Sequence, residues 1–273
     1  MNFKLNNGVL VPSIGFGTWQ ISNEDAYEAT LNAIKIGYRH IDTAYAYQNE
    51  EAIGRAIKDS KIDRSELFIT SKLPSDIKSY DGAKEYFNKS LNLLNLEYLD
   101  LYLIHAPWPW SNIGLDCKDG NIEAWKAMVE LYKNGYIRSI GVSNFLESDI
   151  KPLIEATGFI PHVNQIRFFI GNTQEKLLKY CQDNNILVEA YSPLATGNIL
   201  NDKNIIEVAN KHNVTVAQVA IRYCIERNTL PLPKSTNLER QKMNLDVDFK
   251  LDKEDLEKLN KVHNKELDRP LRS

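Results

Sequence analysis

Eight short apolar stretches recur along this chain, each followed by residues with helical spacing, and this alternation restricts the fold more than any other feature. They are SIGFGTW, HIDTA, LFIT, LYLIH, IRSIGVS, HVNQI, ILVEAYS and TLPLPKS. Strands that alternate with helices pair in parallel, because each crossover returns the chain to the same end of the sheet. Apolar spacing places helices at about Glu24 to Lys35, Glu50 to Ile57, Ala83 to Leu94 and Ile122 to Lys133, with Gly37 and Gly135 as stops. Ahead of them, FKLNNGVLVP reads as a hairpin, since Asn-Gly stands between alternating apolar residues. Eight units in 273 residues match a closed (β/α)8 TIM-type barrel, with the hairpin capping the barrel bottom. A doubly wound open sheet would open on a glycine-rich phosphate turn. Gly15 and Gly17 in GFGTWQ lack its third glycine. No linker or repeat divides the chain, so residues 1–273 are expected to form a single domain.

The 33 basic and 36 acidic side chains nearly cancel, which gives no global field to attract nucleic acid or an anionic membrane. Any anion site must be local. Cys117, Cys181 and Cys224 are odd in number and widely spaced, as expected of reduced thiols. With no apolar leader segment and no run long enough to span a membrane, a cytoplasmic location is expected. The five histidines are isolated, with no HxH or HExxH spacing, so no metal is expected. No heptad or marked apolar helix face points to assembly, and a monomer is the default.

The strand ends carry the chemistry. In a parallel barrel they converge at one face however far apart they lie in sequence. The first ends at Thr18 and Trp19, and the second, third and fourth at Asp42, Lys72 and His105. Ser143 and Asn144, Gln165, Tyr191 and Ser192, then Lys234 and Ser235 end the others. Tyr47 stands five residues beyond Asp42. A free phenol, with a pKa near ~10, is a poor acid at neutral pH. An adjacent Lys72 ammonium would lower that value, Asp42 would hold the ammonium, and His105 could donate to a substrate carbonyl. The set suits protonation of an oxygen that becomes an alkoxide as hydride adds to its carbon. Tyr45 competes with Tyr47 for the role, and spacing alone does not separate them.

GYRHIDTAYAYQNE, ITSKL, LDLYLIH, IGVSN, EAYSPLA and LPKSTNLERQKMN resemble successive signatures of the aldo-keto reductases, from the hairpin to about Asn244. The resemblance implies a barrel that reduces aldehydes and ketones, small-molecule carbonyl substrates, with NADPH. It implies Asp42, Tyr47, Lys72 and His105 as the catalytic tetrad, and it chooses Tyr47 over Tyr45. It implies that Ser143, Asn144 and Gln165 hold the nicotinamide carboxamide and that Tyr191 stacks on its ring. By the same resemblance Gly17, Thr18, Asp42, Ser192, Leu194 and Asn244 line the cofactor, and Lys234, Ser235 and Arg240 receive the adenosine 2′-phosphate. Trp19, Tyr47, His105 and Trp108 are expected to line the substrate pocket.

Two departures stand out. Met243 replaces an acidic residue usual before Asn244, which bears on cofactor affinity. Ala106 follows His105 where many members have Trp, so either Trp108 or Trp110 supplies that wall from a shifted position or the pocket is wider. A short charged tail after Val262 would leave the pocket mouth open. Two further readings are weaker. Tyr80 and Lys84 have the Tyr-x-x-x-Lys spacing of short-chain dehydrogenases, but no nucleotide fingerprint precedes them. A non-catalytic NADPH sensor on the same fold would not need all four chemical groups.

Overall fold

The computed structural model describes residues 1–263, so the expectation about the tail lies almost wholly outside the described residues. A hairpin of β1 (Asn2–Lys4) and β2 (Leu10–Pro12) precedes eight parallel strands. These are β3 (Phe16–Gly17), β4 (His40–Asp42), β5 (Phe68–Leu73), β6 (Leu101–Ile104), β7 (Ile140–Ser143), β8 (Val163–Arg167), β9 (Leu187–Tyr191) and β10 (Thr229–Leu232). Each pairs with its sequence neighbour from β3 to β10. The seam between β3 and β10 is held by the Gly15 and Gly17 amides, which donate to the carbonyls of Pro231 and Pro233 at 3.0 Å each. Neither proline can donate in return, so the glycines supply every amide of this contact. At Gly15 a Cβ would fall 2.4 Å from Leu232 Cδ2 and 2.7 Å from His40 Nδ1. The missing side chain lets the barrel close.

The helices form where the spacing places them, with ends set by local chemistry. Helix α1 (Asn23–Ile36) begins at Ser22, whose hydroxyl accepts from the Asp25 amide, and stops at Gly37 with φ of 116°. Next come α2 (Glu50–Asp59), α3 (Tyr80–Leu94) and α4 (Lys118–Lys133). The last two begin three or four residues earlier than apolar spacing suggests, because Asp81 and Gly82, and Lys118 to Asn121, carry no apolar side chain to mark the first turn. After them come α5 (Glu147–Thr157) and α6 (Glu175–Asp183), then α7 (Lys203–His212) and α8 (Val216–Glu226) before β10. Two more follow it, α9 (Leu238–Leu245) and α10 (Lys253–Asn260).

Strand alternation divides the side chains between two environments. Outward residues such as Ile41, Ile69, Ile104, Val142 and Val188 pack under the helices in the larger core. Inward residues grade from apolar to polar along the barrel axis. Phe68, Leu101, Leu103, Val163, Leu230 and Leu232 fill the lower lumen together with Leu5 and Val11 of the hairpin. The hairpin is fastened there by Asn7, whose amide donates to the Arg138 carbonyl at 3.0 Å and to Ser139 Oγ at 3.2 Å. Above this plug the inward positions become His40, Thr70, Gln165 and Glu189, then Asp42 and Lys72. Among the described residues no helix is long and apolar enough to cross a membrane.

Candidate active site

Lys72 is fully buried, and its ammonium spends all three protons on oxygen. It donates to Asp42 Oδ1 at 2.7 Å, to the Thr43 carbonyl at 2.9 Å and to the Tyr47 hydroxyl at 3.3 Å. The phenol reaches it because a single 3₁₀ turn, Tyr45–Tyr47, follows β4. The same turn sends Tyr45 away, edge-on against Tyr86 with ring centroids 5.0 Å apart. His105 lies just past β6, its ring edge-on to Tyr47 at 5.6 Å. The four groups singled out at the strand ends therefore share one small volume.

Their protonation follows from burial and charge. Burial favours the neutral amine at Lys72, but Asp42 and Tyr47 together outweigh it and hold the pKa above the ordinary lysine value. Burial also dominates at Tyr47 and raises its pKa. Lys72 lowers it, but not by enough, and Asp42 adds to the rise. Lys72 thus acts in the expected direction, but burial outweighs it and the phenol keeps its proton at neutral pH. His105 is held well below the ordinary imidazole value by burial, with Lys72 and Lys78 adding to the effect, so the ring is neutral.

A second chain of contacts links the strand ends beside this group. Tyr191 donates to Asn144 Oδ1 at 2.8 Å, and Asn144 donates to Ser143 Oγ at 2.9 Å and to the His105 carbonyl at 3.1 Å. Ser143 donates to the Gln165 carbonyl at 2.9 Å, and the Gln165 amide donates to Asp42 Oδ2 at 2.8 Å. Thr18 donates to the Asp42 carbonyl at 2.9 Å. Asn144 and Ser192 both take left-handed backbone, with φ of 62° and 52°, as the chain turns sharply off β7 and β9. Leu194 follows, half-buried against the outer core.

The basic candidates lie beyond β10. Lys234 and Arg240 are exposed, and Ser235 is buried between them, its hydroxyl accepting from the Asn237 amide at 3.1 Å. Asn237 caps α9 by accepting from the Arg240 amide at 2.9 Å. Asn244 is buried on that helix, whereas Met243 is 38 % exposed.

At the rim the tryptophans divide. Trp108 is 1 % exposed and lies beneath Trp110, with ring centroids 4.8 Å apart. Trp110 is 42 % exposed and edge-on to His105 at 6.2 Å, so it is Trp110 that presents a face beside the imidazole. Trp19 is 48 % exposed. Tyr80 and Lys84 lie on α3, where both engage the Glu130 carboxylate of α4 as a surface cluster.

Three inward residues near the site were not singled out from the sequence. Arg167 ends β8 in register with Tyr191, its guanidinium 5.1 Å from the Phe169 ring centroid. Glu189 and His40 lie one layer below, fully buried. Their signal was available: each is a polar residue on the inward parity of its strand.

A lysine, a carboxylate and a phenol thus meet at one end of a parallel barrel. Residues 13–264 match the model of the Aldo/keto reductase family, to which the chain belongs. It is 42 % identical over 265 residues to the glyoxal reductase of Bacillus subtilis, covering 96 % of this chain and 93 % of that protein. It is 41 % identical over 262 residues to the methylglyoxal reductase DkgA of Escherichia coli strain K12, covering 95 % and 92 %. A crystal structure of a Gox0644 variant in complex with NADPH superposes with a TM-score of 0.90 at 37 % identity, covering 97 % of this chain and 94 % of that one.

Proposed function

We propose that this enzyme reduces small aldehydes and 2-oxoaldehydes to alcohols with NADPH, and that Tyr47 is the general acid. The observation that carries the reading is the Lys72 ammonium, fixed between Asp42 Oδ1 at 2.7 Å and the Tyr47 hydroxyl at 3.3 Å. When bound, the nicotinamide supplies the hydride. The protein's part is proton delivery and orientation. Tyr47 keeps its proton until negative charge develops on the carbonyl oxygen, then gives it up as the buried ammonium stabilises the phenolate left behind. Asp42 keeps Lys72 charged and immobile through that step. A neutral His105 can donate a hydrogen bond to the same oxygen without offering a competing acid.

The residues present fit the cofactor. Ser143, Asn144 and Gln165 bring hydroxyl and amide groups to one spot, beside the Tyr191 ring. Two exposed cations flank Ser235 and the first turn of α9, which suits a phosphate dianion. The glyoxal and methylglyoxal activities named for the two relatives favour small dicarbonyl substrates. The test is turnover: the protein is mixed with NADPH and a panel including glyoxal, methylglyoxal and nitrobenzaldehyde, and absorbance of the reduced cofactor is followed. Consumption with the dicarbonyls is expected. Tight NADPH binding with no turnover on any member would sink the reading and favour the sensor.

Replacing Lys234 and Arg240 together by Ala should weaken NADPH binding by about 100-fold, since each charge-assisted contact contributes roughly 1.5 kcal/mol. NADH, with no 2′-phosphate, should lose less than threefold. Equal losses for both cofactors would remove the phosphate from these residues.

A further inference from the structure

The Gln165 side chain is held between two buried carboxyl groups. Its Nε2 donates to Asp42 Oδ2 at 2.8 Å and to Glu189 Oε2 at 2.8 Å. A primary amide nitrogen has two protons, and both are used. The reverse orientation would set Oε1 against the Asp42 carboxylate, lone pair to lone pair, so the assignment is fixed by its surroundings. Among the described residues no group donates to Gln165 Oε1, which leaves an acceptor for a donor from outside the chain.

We propose that Glu189 is a positioning residue: it locks the Gln165 amide with its oxygen outward, so that the enzyme reads the NH2 group of the nicotinamide carboxamide. The inference rests on the nicotinamide reading above. Asp42 sets which end of the amide faces the carboxyl groups, and Glu189, by taking the second Nε2 proton, fixes the tilt of the amide plane and so the direction in which Oε1 points. Glu189 can sit close to Asp42 because burial, and then the Asp42 charge itself, raise its pKa and favour the neutral acid. The groups around it are His40 from β4, Asp42, Lys72 from β5 and Gln165 from β8. His40 Nε2 is 3.9 Å from Glu189 Oε1 and 2.9 Å from Thr70 Oγ1. Burial holds His40 at a pKa of about 3, so it is neutral and does not pull Glu189 into an ion pair.

The test measures binding of NADP+ and of its 3-acetylpyridine analogue, which carries a methyl group in place of the amide NH2. The wild type should prefer NADP+ by about tenfold, the cost of leaving a buried acceptor unpaired. In Glu189→Leu, and in Glu189→Thr should the first fail to fold, that preference should fall below about threefold. Glu189→Gln, which still offers an acceptor oxygen to Gln165, should restore it. A preference unchanged in the Leu and Thr variants, or affinities for both dinucleotides lost in parallel, would overturn the proposal. A wild type that binds neither dinucleotide would overturn the cofactor reading itself.

Discussion

Tyr47→Phe should lower kcat for methylglyoxal by about 1,000-fold while leaving the NADPH dissociation constant within about twofold of wild type. The size follows from the 10²- to 10⁴-fold that a positioned general acid typically contributes. The selectivity follows from geometry. The Tyr47 hydroxyl makes its one tetrad hydrogen bond at 3.3 Å from Lys72 Nζ, and the ammonium retains Asp42 and the Thr43 carbonyl when that contact goes. The ring of Phe keeps the edge-on packing against His105. A variant that still turns over at the wild-type rate would transfer the acid role elsewhere, whereas Tyr45→Phe, remote from Lys72, should cost less than about twofold.

Lys72→Met should be more damaging, because it removes the chemistry and destabilises the fold together. Asp42 would remain buried with Gln165 as its side-chain donor and no cation. Breaking a buried pair on one side typically costs about 3–5 kcal/mol. For a chain of this size that is roughly a 10 °C fall in Tm. Replacing both partners, as Asp42→Asn with Lys72→Met, should recover most of the lost stability, since no unpaired charge is left and Asn still accepts from Gln165. It should not recover activity. Thermal melts and turnover measured on the single and double variants separate the two effects. A double variant no more stable than the single one would show that packing, not charge, explains the loss.

Much of this was legible because strand ends are punctuated. Asp42, Lys72 and His105 each interrupt an apolar run, and a parallel barrel leaves them one place to meet. Tyr47 required more: the family spacing chose it, and only the 3₁₀ turn shows why Tyr45 turns toward Tyr86. Loops were less readable. Nothing in HAPWPW says that Trp108 goes under and Trp110 stays out, since both follow a proline and both are aromatic. The net direction of the Tyr47 pKa is not legible for a different reason. Charge signs can be read from letters, but the weight of burial depends on how closely the walls approach. Glu189 is less legible because EAYSPLA carries its aromatic and serine at the strand end, while only parity along β9 puts the glutamate inside.

The plugged lower lumen has a consequence for how the cycle resets. Leu5 and Val11 of the hairpin, with Phe68 and the branched chains above them, form an apolar floor at that end of the barrel. On the acid role proposed for Tyr47, the phenolate left after proton transfer is recharged by solvent arriving from the opposite end, where Trp110 is exposed beside His105. On that same role, reloading follows departure of the alcohol from the doorway, and the hydrophobic floor ties each new turnover to release of the last product.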